Sequence, residues 1–133
     1  SICKKLRVID HPKGSIRHAL KSSDVEYAGF GEVYFSEIEY CKIKAWKKHI
    51  KMKMNLVVPV GLVKFVFYEE KEKFFQEFIL GLENYCRLSV PPGIWFGFKG
   101  MDKNLNLVMN ISDLEHDPNE VQRKDISEIV YEW

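Results

Sequence analysis

Short apolar runs, broken at regular intervals by turn residues, are the feature that most restricts the fold of this chain. The runs are rich in valine, isoleucine, phenylalanine and tyrosine, which suit the pleated and half-buried surface of a sheet. Their spacing of roughly 8–12 residues is typical of a sandwich or barrel. They predict strands at Leu6–Ile9, Phe30–Ser36, Ile43–His49, Leu56–Val60, Val63–Tyr68, Phe75–Leu80, Cys86–Val90, Ile94–Phe98 and Leu105–Ile111.

Turn signals fall between these runs, and helix signals are few. The stretch Phe74–Tyr85 has apolar residues that also fit a helix, but Gly81 and the neighbouring strands favour a strand followed by a turn. A short helix is predicted from Pro118, with Asp117 as its N-cap. The turn signals are "HPKG" at 11–14, "PVG" at 59–61, "EEKEK" at 69–73 and "PPG" at 91–93.

Many short strands with almost no helix predict an all-β sandwich, for which a jelly roll is one closed solution. The chain has 133 residues, of which 46% are hydrophobic and 14% aromatic. This length and composition suffice for one domain with a substantial core, and we predict a single domain over residues 1–133.

The charge balance and the cysteines restrict the class of protein. Lysine and arginine total 20 against 19 aspartates and glutamates, which argues against a general nucleic-acid binder. No apolar run is long enough to span a membrane, and the first ten residues lack the apolar core of a signal peptide. Cys3, Cys41 and Cys86 are odd in number and form no C-x-x-C pair. We expect reduced thiols in a cytoplasmic protein.

A local excess of lysine lies between Lys42 and Lys53, in and after the predicted strand that contains "KAWKKH". Strict alternation places Ala45, Lys47 and His49 on one face of this strand and Lys44, Trp46 and Lys48 on the other. If that face lines the interior, it is a site for an anion such as a phosphate. If it faces water, it is a solvated edge that discourages pairing between sheets.

Signatures of metal binding and of hydrolytic catalysis are missing from the sequence. The four histidines, His11, His18, His49 and His116, form no H-x-H, H-x-x-x-H or H-E-x-x-H pattern, so no metal site is expected. The sequence also contains no G-x-S-x-G, no P-loop and no G-x-G-x-x-G motif.

Five segments occur in an order that resembles one known family. They are "KGSI", "KAWKKH", "VPVGLVKFVFYE", "VPPGIWFGF" and "NISDLEHDP", within residues 5 to 120. In these segments the chain resembles the dTDP-4-dehydrorhamnose 3,5-epimerase family, small cupin-type jelly rolls that act on nucleotide-linked 4-keto sugars. The resemblance implies a double-stranded β-helix, little helix, and an isomerase that uses neither a metal nor a dissociable cofactor. It also implies a homodimer, with Leu6–Ile9 as a candidate for pairing between subunits.

The mechanism implied by the resemblance needs a base, a partner for the enolate and a proton donor. At the base strand, Lys44 stands in the place of the family's arginine and is expected to bind substrate. Lys47 stands in the place of its first histidine, and His49 in the place of its second. The base is therefore either His49 or a Lys47 whose pKa is lowered by burial.

Other positions depart further from the family pattern. Phe96 stands where a histidine often follows the PPG turn, and either fills the core or forms an aromatic wall against the substrate. Met109 stands where the family has its acidic tyrosine, so Tyr34 or Tyr68 would have to donate the proton. Lys13 and Glu32 stand at positions expected to contact the nucleotide.

Three hypotheses follow for the function. The first is an epimerase or ketoisomerase of a nucleotide-linked 4-keto sugar that serves the synthesis of surface polysaccharide, with His49, Lys47 and Tyr34 as catalytic candidates. The second is a diverged, non-catalytic cupin that binds a sugar nucleotide or scaffolds a partner. The third is an unrelated β-sandwich whose resemblance to the family is accidental.

Overall fold

A computed structural model describes all residues from Ser1 to Trp133 and contains two five-stranded antiparallel sheets and a small ribbon. Two short 3-10 turns, Pro118–Glu120 and Ile126–Glu128, are its only helical elements. The strands are β1 (Ile2–Lys5), β2 (Val8–Ile9), β3 (Ile16–Arg17), β4 (Glu32–Glu37), β5 (Ile43–His49), β6 (Met54–Val60), β7 (Leu62–Glu69), β8 (Phe74–Gly81), β9 (Cys86–Val90), β10 (Trp95–Gly100), β11 (Leu107–Ser112) and β12 (Val121–Arg123).

The order of the strands shows how the jelly roll closes. The first sheet has the order β1-β9-β6-β11-β4, and the second has the order β12-β5-β10-β7-β8. Strands β2 and β3 pair only with each other. Consecutive strands repeatedly lie in different sheets, as in the predicted cupin-type jelly roll, and this all-β fold class is confirmed.

The main core lies between the inner faces of the two sheets. Alternate residues of β6 and β7 point inward, and Val57 and Val66 on their other faces are also buried, which explains why these two strands form long apolar runs in the sequence. A cluster of 14 buried side chains fills this space, including Leu56, Phe65, Phe67, Leu88 and Phe96. The core thus binds the two layers together and forms the floor of any cavity between them.

A second, smaller apolar cluster covers the outer face of the second sheet. Trp46, Val66, Trp95 and Ile129 are buried there, and Trp133 packs against them. The Nε1 group of Trp46 donates a hydrogen bond to the carbonyl of Ile129 at 3.2 Å. The C-terminal segment is therefore fixed across this sheet by aromatic side chains.

A β-bulge in β5 changes which side chains face the interior. Phe96 pairs with Lys47, Gly97 with Ala45 and Phe98 with Lys44, which leaves Trp46 as an extra residue. The alternation predicted from sequence, with Lys44 on the face opposite Lys47, is therefore wrong. Because Trp46 turns into the outer cluster, Lys44 and Lys47 both lie on the inner face beside the phenylalanines of β10.

Most predicted strands coincide with observed ones, apart from their ends. The predicted strand Leu6–Ile9 is reduced to the two residues of β2, while β1, β3 and β12 were not predicted. The helix predicted at Pro118 is one 3-10 turn, capped by the Asp117 side chain as expected. The structure contains no helix long and apolar enough to cross a membrane.

Candidate active site

A cavity of about 360 Å³ opens between the two sheets, next to the bulge. Its apolar wall includes Leu56, Phe65, Phe96 and Phe98. Phe96 belongs to the core cluster and also lines the cavity, whereas its contact with a substrate stays a prediction. Trp95, which points the other way, belongs to the outer cluster.

Cations dominate the polar part of the cavity. Lys44, Lys47, Arg123 and Lys124 line it, and no aspartate or glutamate does so. Lys124 is neutralised by Glu70, whose carboxylate lies 3.2 Å from its Nζ atom. The other three form no ion pair, and only Lys44 has a hydrogen bond, which its Nζ donates to the carbonyl of Glu37 at 2.7 Å. The cavity is therefore built to receive negative charge.

Lys47 is half-buried, whereas Lys44 and Arg123, the other two cations without an ion pair, are exposed. Burial lowers the pKa of Lys47 below its ordinary value of 10.5, and the positive charges of Arg123 and Lys44 lower it further. No carboxylate restores the charged form. A lysine in this environment becomes neutral, and so basic, at a lower pH than an exposed lysine does.

Tyr34 lies on the opposite sheet, at the rim of the same cavity. Its strand, β4, pairs with β11, and Tyr34 stands directly across from Asn110. The Nδ2 group of Asn110 donates a hydrogen bond to the Tyr34 hydroxyl at 2.9 Å. Tyr68, the other tyrosine considered as a proton donor, packs instead against Phe75 on the outer face of the second sheet.

Met109 holds the position where the resemblance implies a tyrosine, but it is not part of the cavity wall. Its neighbours in the strand, Val108 and Asn110, line the cavity, so Met109 points to the outer face. Tyr34, on the neighbouring strand β4, is the tyrosine that lines the cavity.

His49 is buried beside the cavity and not in its lining. Its side chain is 5% exposed, its ring is stacked on Phe96 at 5.8 Å, and its Nδ1 atom lies 2.5 Å from Oε1 of Glu120. Oε2 of Glu120 also accepts hydrogen bonds from the backbone N–H groups of Lys51 and Met52. Burial raises the pKa of Glu120, but the hydrogen bonds from His49 and from these two backbone groups together bring it below its ordinary value.

The two predicted nucleotide contacts lie outside the cavity. Lys13 is exposed in the turn between β2 and β3, where its backbone N–H donates to His11. Glu32 begins β4 and accepts a hydrogen bond from the backbone N–H of His116 at 2.7 Å. Within one chain these two residues therefore do not join Lys44, Lys47, Tyr34 and Phe96 around the cavity.

Asn110 and Arg123 are among the cavity residues that were not singled out from sequence. Asn110 is an inward-facing polar residue on β11, and Arg123 lies on β12, which extends the second sheet beyond β5. The structure has no cluster of three or more histidine, cysteine, aspartate or glutamate side chains that could hold a metal ion. The polar side chains that line the cavity are those of lysine, arginine, tyrosine, asparagine and serine residues.

Comparison with solved structures defines the class of protein. The structure superimposes with a TM-score of 0.89 on a dTDP sugar isomerase from Desulfovibrio desulfuricans G20, at 33% identity over 93% of this chain and 83% of that one. The dTDP-4-dehydrorhamnose 3,5-epimerase of Bacillus anthracis, with TDP and pyrophosphate bound, gives a TM-score of 0.80 at 16% identity, covering 91% and 76% of the two chains. A sugar 3,4-ketoisomerase from Thermoanaerobacterium thermosaccharolyticum, in complex with TDP, gives 0.79 at 14% identity, covering 92% and 87%.

The two more distant structures share the fold, and the similarity to the Desulfovibrio protein extends to sequence. The chain belongs to the family of dTDP-sugar isomerases and epimerases, which includes the dTDP-4-dehydrorhamnose 3,5-epimerases. The resemblance first seen in the sequence segments is thereby confirmed, and so is the expectation of an isomerase-type enzyme. No protein-family model and no curated protein sequence matches the chain.

Proposed function

We propose that this protein is an isomerase of a nucleotide-linked 4-keto sugar that moves a proton at a carbon next to the ketone. The observation that carries the proposal is the placement of Lys47 and Tyr34 in one cavity, on opposite sheets. A sugar ring held between them presents one face to an amine and the other to a phenol. Removal of a proton on one face and its return on the other inverts the carbon.

We assign the role of base to Lys47. Its amine lines the cavity, and its lowered pKa increases the neutral fraction that accepts a proton. Lys44 and Arg123 supply the positive charge that stabilises the enolate or binds a diphosphate. Phe96 and Phe98 form the apolar wall, which excludes water and strengthens these electrostatic interactions.

His49 is the alternative base. In a neutral ring that donates its Nδ1–H to Glu120, Nε2 carries the lone pair that could accept a proton. Against this role, the ring lies behind Phe96 and the pair is buried. We interpret the pair as a brace that ties the end of β5 to the turn before β12.

The substrate class follows from the charge of the cavity and from the family. Three cations without a carboxylate partner fit a sugar linked to a nucleoside diphosphate, and solved relatives contain TDP. We propose a dTDP-linked sugar as the first substrate to test, in a pathway that supplies surface polysaccharide. We also propose a cytoplasmic location, since Cys3, Cys41 and Cys86 are all free thiols.

We propose that the protein acts as a homodimer, with residues 1–133 as one domain in each subunit. Val8 and Ile16 of the β2–β3 ribbon are exposed apolar residues, and so is Ile2 of β1. Pairing of this region with a second copy would cover them and bring the turn that carries Lys13 to an interface. Sedimentation equilibrium measures the mass, and a monomer at working concentration would exclude the dimer.

The experiment that tests the function is proton exchange in D₂O with a panel of 4-keto sugars linked to dTDP, UDP, GDP and CDP. We expect incorporation of one or more deuterium atoms next to the ketone with at least one of them, and loss of this incorporation in Lys47→Met. Lys48→Met is a matched control, because Lys48 lies over the Trp95 ring on the outer face. Binding without exchange for the whole panel would refute the isomerase and favour the non-catalytic cupin.

A further inference from the structure

Asn110 has a hydrogen-bonding pattern that the proposed function leaves unexplained. Its side chain is 3% exposed and lines the cavity. The Nδ2 group donates to the Tyr34 hydroxyl at 2.9 Å, while the Oδ1 atom is buried and has no hydrogen-bond partner. A buried polar atom without a partner is uncommon and calls for an explanation, such as a bound molecule that completes it.

The strands on either side show why the protein does not complete this group. Asn110 pairs with Tyr34 on β4 and with Leu56 on β6, and the preceding inward residue of β11 is Val108. Leu56 and Val108 are apolar and offer no donor. With no protein donor in contact, Oδ1 is open to a donor on a molecule in the cavity.

The same contact fixes the direction of the Tyr34 proton. A phenol hydroxyl both accepts and donates hydrogen bonds. The Tyr34 oxygen accepts one from Asn110 Nδ2, so its own O–H is left to donate elsewhere. The protein provides no acceptor for the Tyr34 O–H, so this proton is free to point into the cavity. A donor and an acceptor thus stand side by side on the first sheet, across the cavity from Lys47.

We propose that Asn110 is a positioning and specificity residue: it holds Tyr34 as the proton donor, and its Oδ1 atom accepts a hydrogen bond from a sugar hydroxyl next to the carbon that Tyr34 protonates. This inference rests on the proposed function. Lys47 takes the proton from carbon, and the electron pair moves into the enolate. Tyr34 then gives its proton to the opposite face of that carbon. The Asn110 N–H stabilises the resulting phenolate, and solvent restores both groups.

The first part of the proposal, that Asn110 holds Tyr34 as the proton donor, is called the donor half. It is tested by comparing the rate of deuterium exchange with the rate of inversion in the same reaction. In Tyr34→Phe, Lys47 still removes the proton and returns a deuteron on its own face. We therefore expect deuterium exchange to continue while the rate of inversion falls by about 100-fold. In Asn110→Asp the carboxylate accepts a hydrogen bond from the Tyr34 O–H, which turns this proton away from the cavity. We expect this variant and Asn110→Ala to lower the ratio of inversion to exchange by about tenfold.

Met109→Leu is the matched control, because it changes the next residue of the same strand on the outer face. It should keep the ratio of the wild-type protein. Thermal unfolding and nucleotide binding show whether each variant is folded. A wild-type ratio in folded Asn110→Asp and Asn110→Ala would overturn the donor half, even if the exchange itself supports the proposed function.

The second part of the proposal, that Oδ1 of Asn110 accepts a hydrogen bond from a sugar hydroxyl, is called the hydroxyl half. It is tested by calorimetry, which does not depend on turnover. The ligands are a nucleotide sugar with the hydroxyl next to the reacting carbon and the analogue with hydrogen in that place. We expect Asn110→Ala to weaken binding of the first by about tenfold and to leave the second unchanged, while Asn110→Asp keeps the preference. An equal loss of affinity for both ligands in Asn110→Ala would overturn the hydroxyl half. If the wild-type protein binds these ligands without exchange, the proposed function and the donor half both fail, and calorimetry still decides the hydroxyl half.

Discussion

Replacing Glu120 separates a structural role of the His49–Glu120 pair from a catalytic one. The carboxylate is 4% exposed and accepts hydrogen bonds from His49 Nδ1 at 2.5 Å, from Lys51 N at 3.2 Å and from Met52 N at 3.1 Å. Glu120→Ala leaves three donors without an acceptor, so we expect the free energy of unfolding to fall by about 3–5 kcal/mol. Glu120→Gln keeps an oxygen for the two backbone groups and should cost about 1–2 kcal/mol.

Urea unfolding at several pH values measures these differences. Because the pKa of Glu120 is lower in the folded protein than its ordinary value of 4.5, its contribution is present above pH 4.5. It is lost as the pH falls through the folded-state pKa, where the carboxylate is protonated in both states. The difference between wild type and Glu120→Gln should therefore shrink below pH 4.5. A loss below about 0.5 kcal/mol for Glu120→Ala at pH 7 would refute the hydrogen-bond reasoning.

The deuterium exchange of the folded Glu120→Gln protein decides the assignment of the base. If the pair is a brace, the exchange rate per folded molecule should stay within about threefold of wild type. If His49 is the base, loss of the carboxylate that orients it should lower the rate by about 100-fold or more. Such a loss, with Lys47→Arg still active, would transfer the base role from Lys47 to His49.

Three further predictions concern the cavity and its frame. Burial and the charges of Arg123 and Lys44 lower the pKa of Lys47, so the exchange rate should rise with pH to a plateau below pH 10.5. Lys44→Ala removes one of these charges and should move the rise to higher pH. An identical pH profile in the wild type and in Lys44→Ala would contradict this. Arg123→Gln should weaken the binding of a nucleoside diphosphate and reduce its dependence on salt, as calorimetry at two ionic strengths will show. Gly100→Ala should lower the free energy of unfolding by about 2–3 kcal/mol in urea, because the added Cβ would lie 2.3 Å from the carbonyl oxygen of Glu39.

Local patterns were sufficient to predict an all-β fold, whereas the resemblance to the family supplied the cupin type and the cavity residues Lys44, Lys47, Tyr34 and Phe96. Runs such as Val63–Tyr68 predict strands because their apolar residues and bounding turns are both local signals. Arg123 was missed because the strand Val121–Arg123 has a polar sequence and exists only through backbone pairing with β5. Asn110 was missed because its importance depends on the register that brings it opposite Tyr34. Long-range pairing of this kind leaves no mark in either segment alone.

The bulge at Trp46 connects the outer aromatic cluster to the chemistry of the cavity. A regular strand would turn Lys44 away from Lys47 and give the inner face one lysine fewer. The extra residue places Trp46 among buried aromatic side chains outside and Lys44 beside Lys47 inside. The charge of Lys44 then lowers the pKa of Lys47, which suits a lysine for work as a base. Packing on one face of the sheet thus sets the electrostatics on the other.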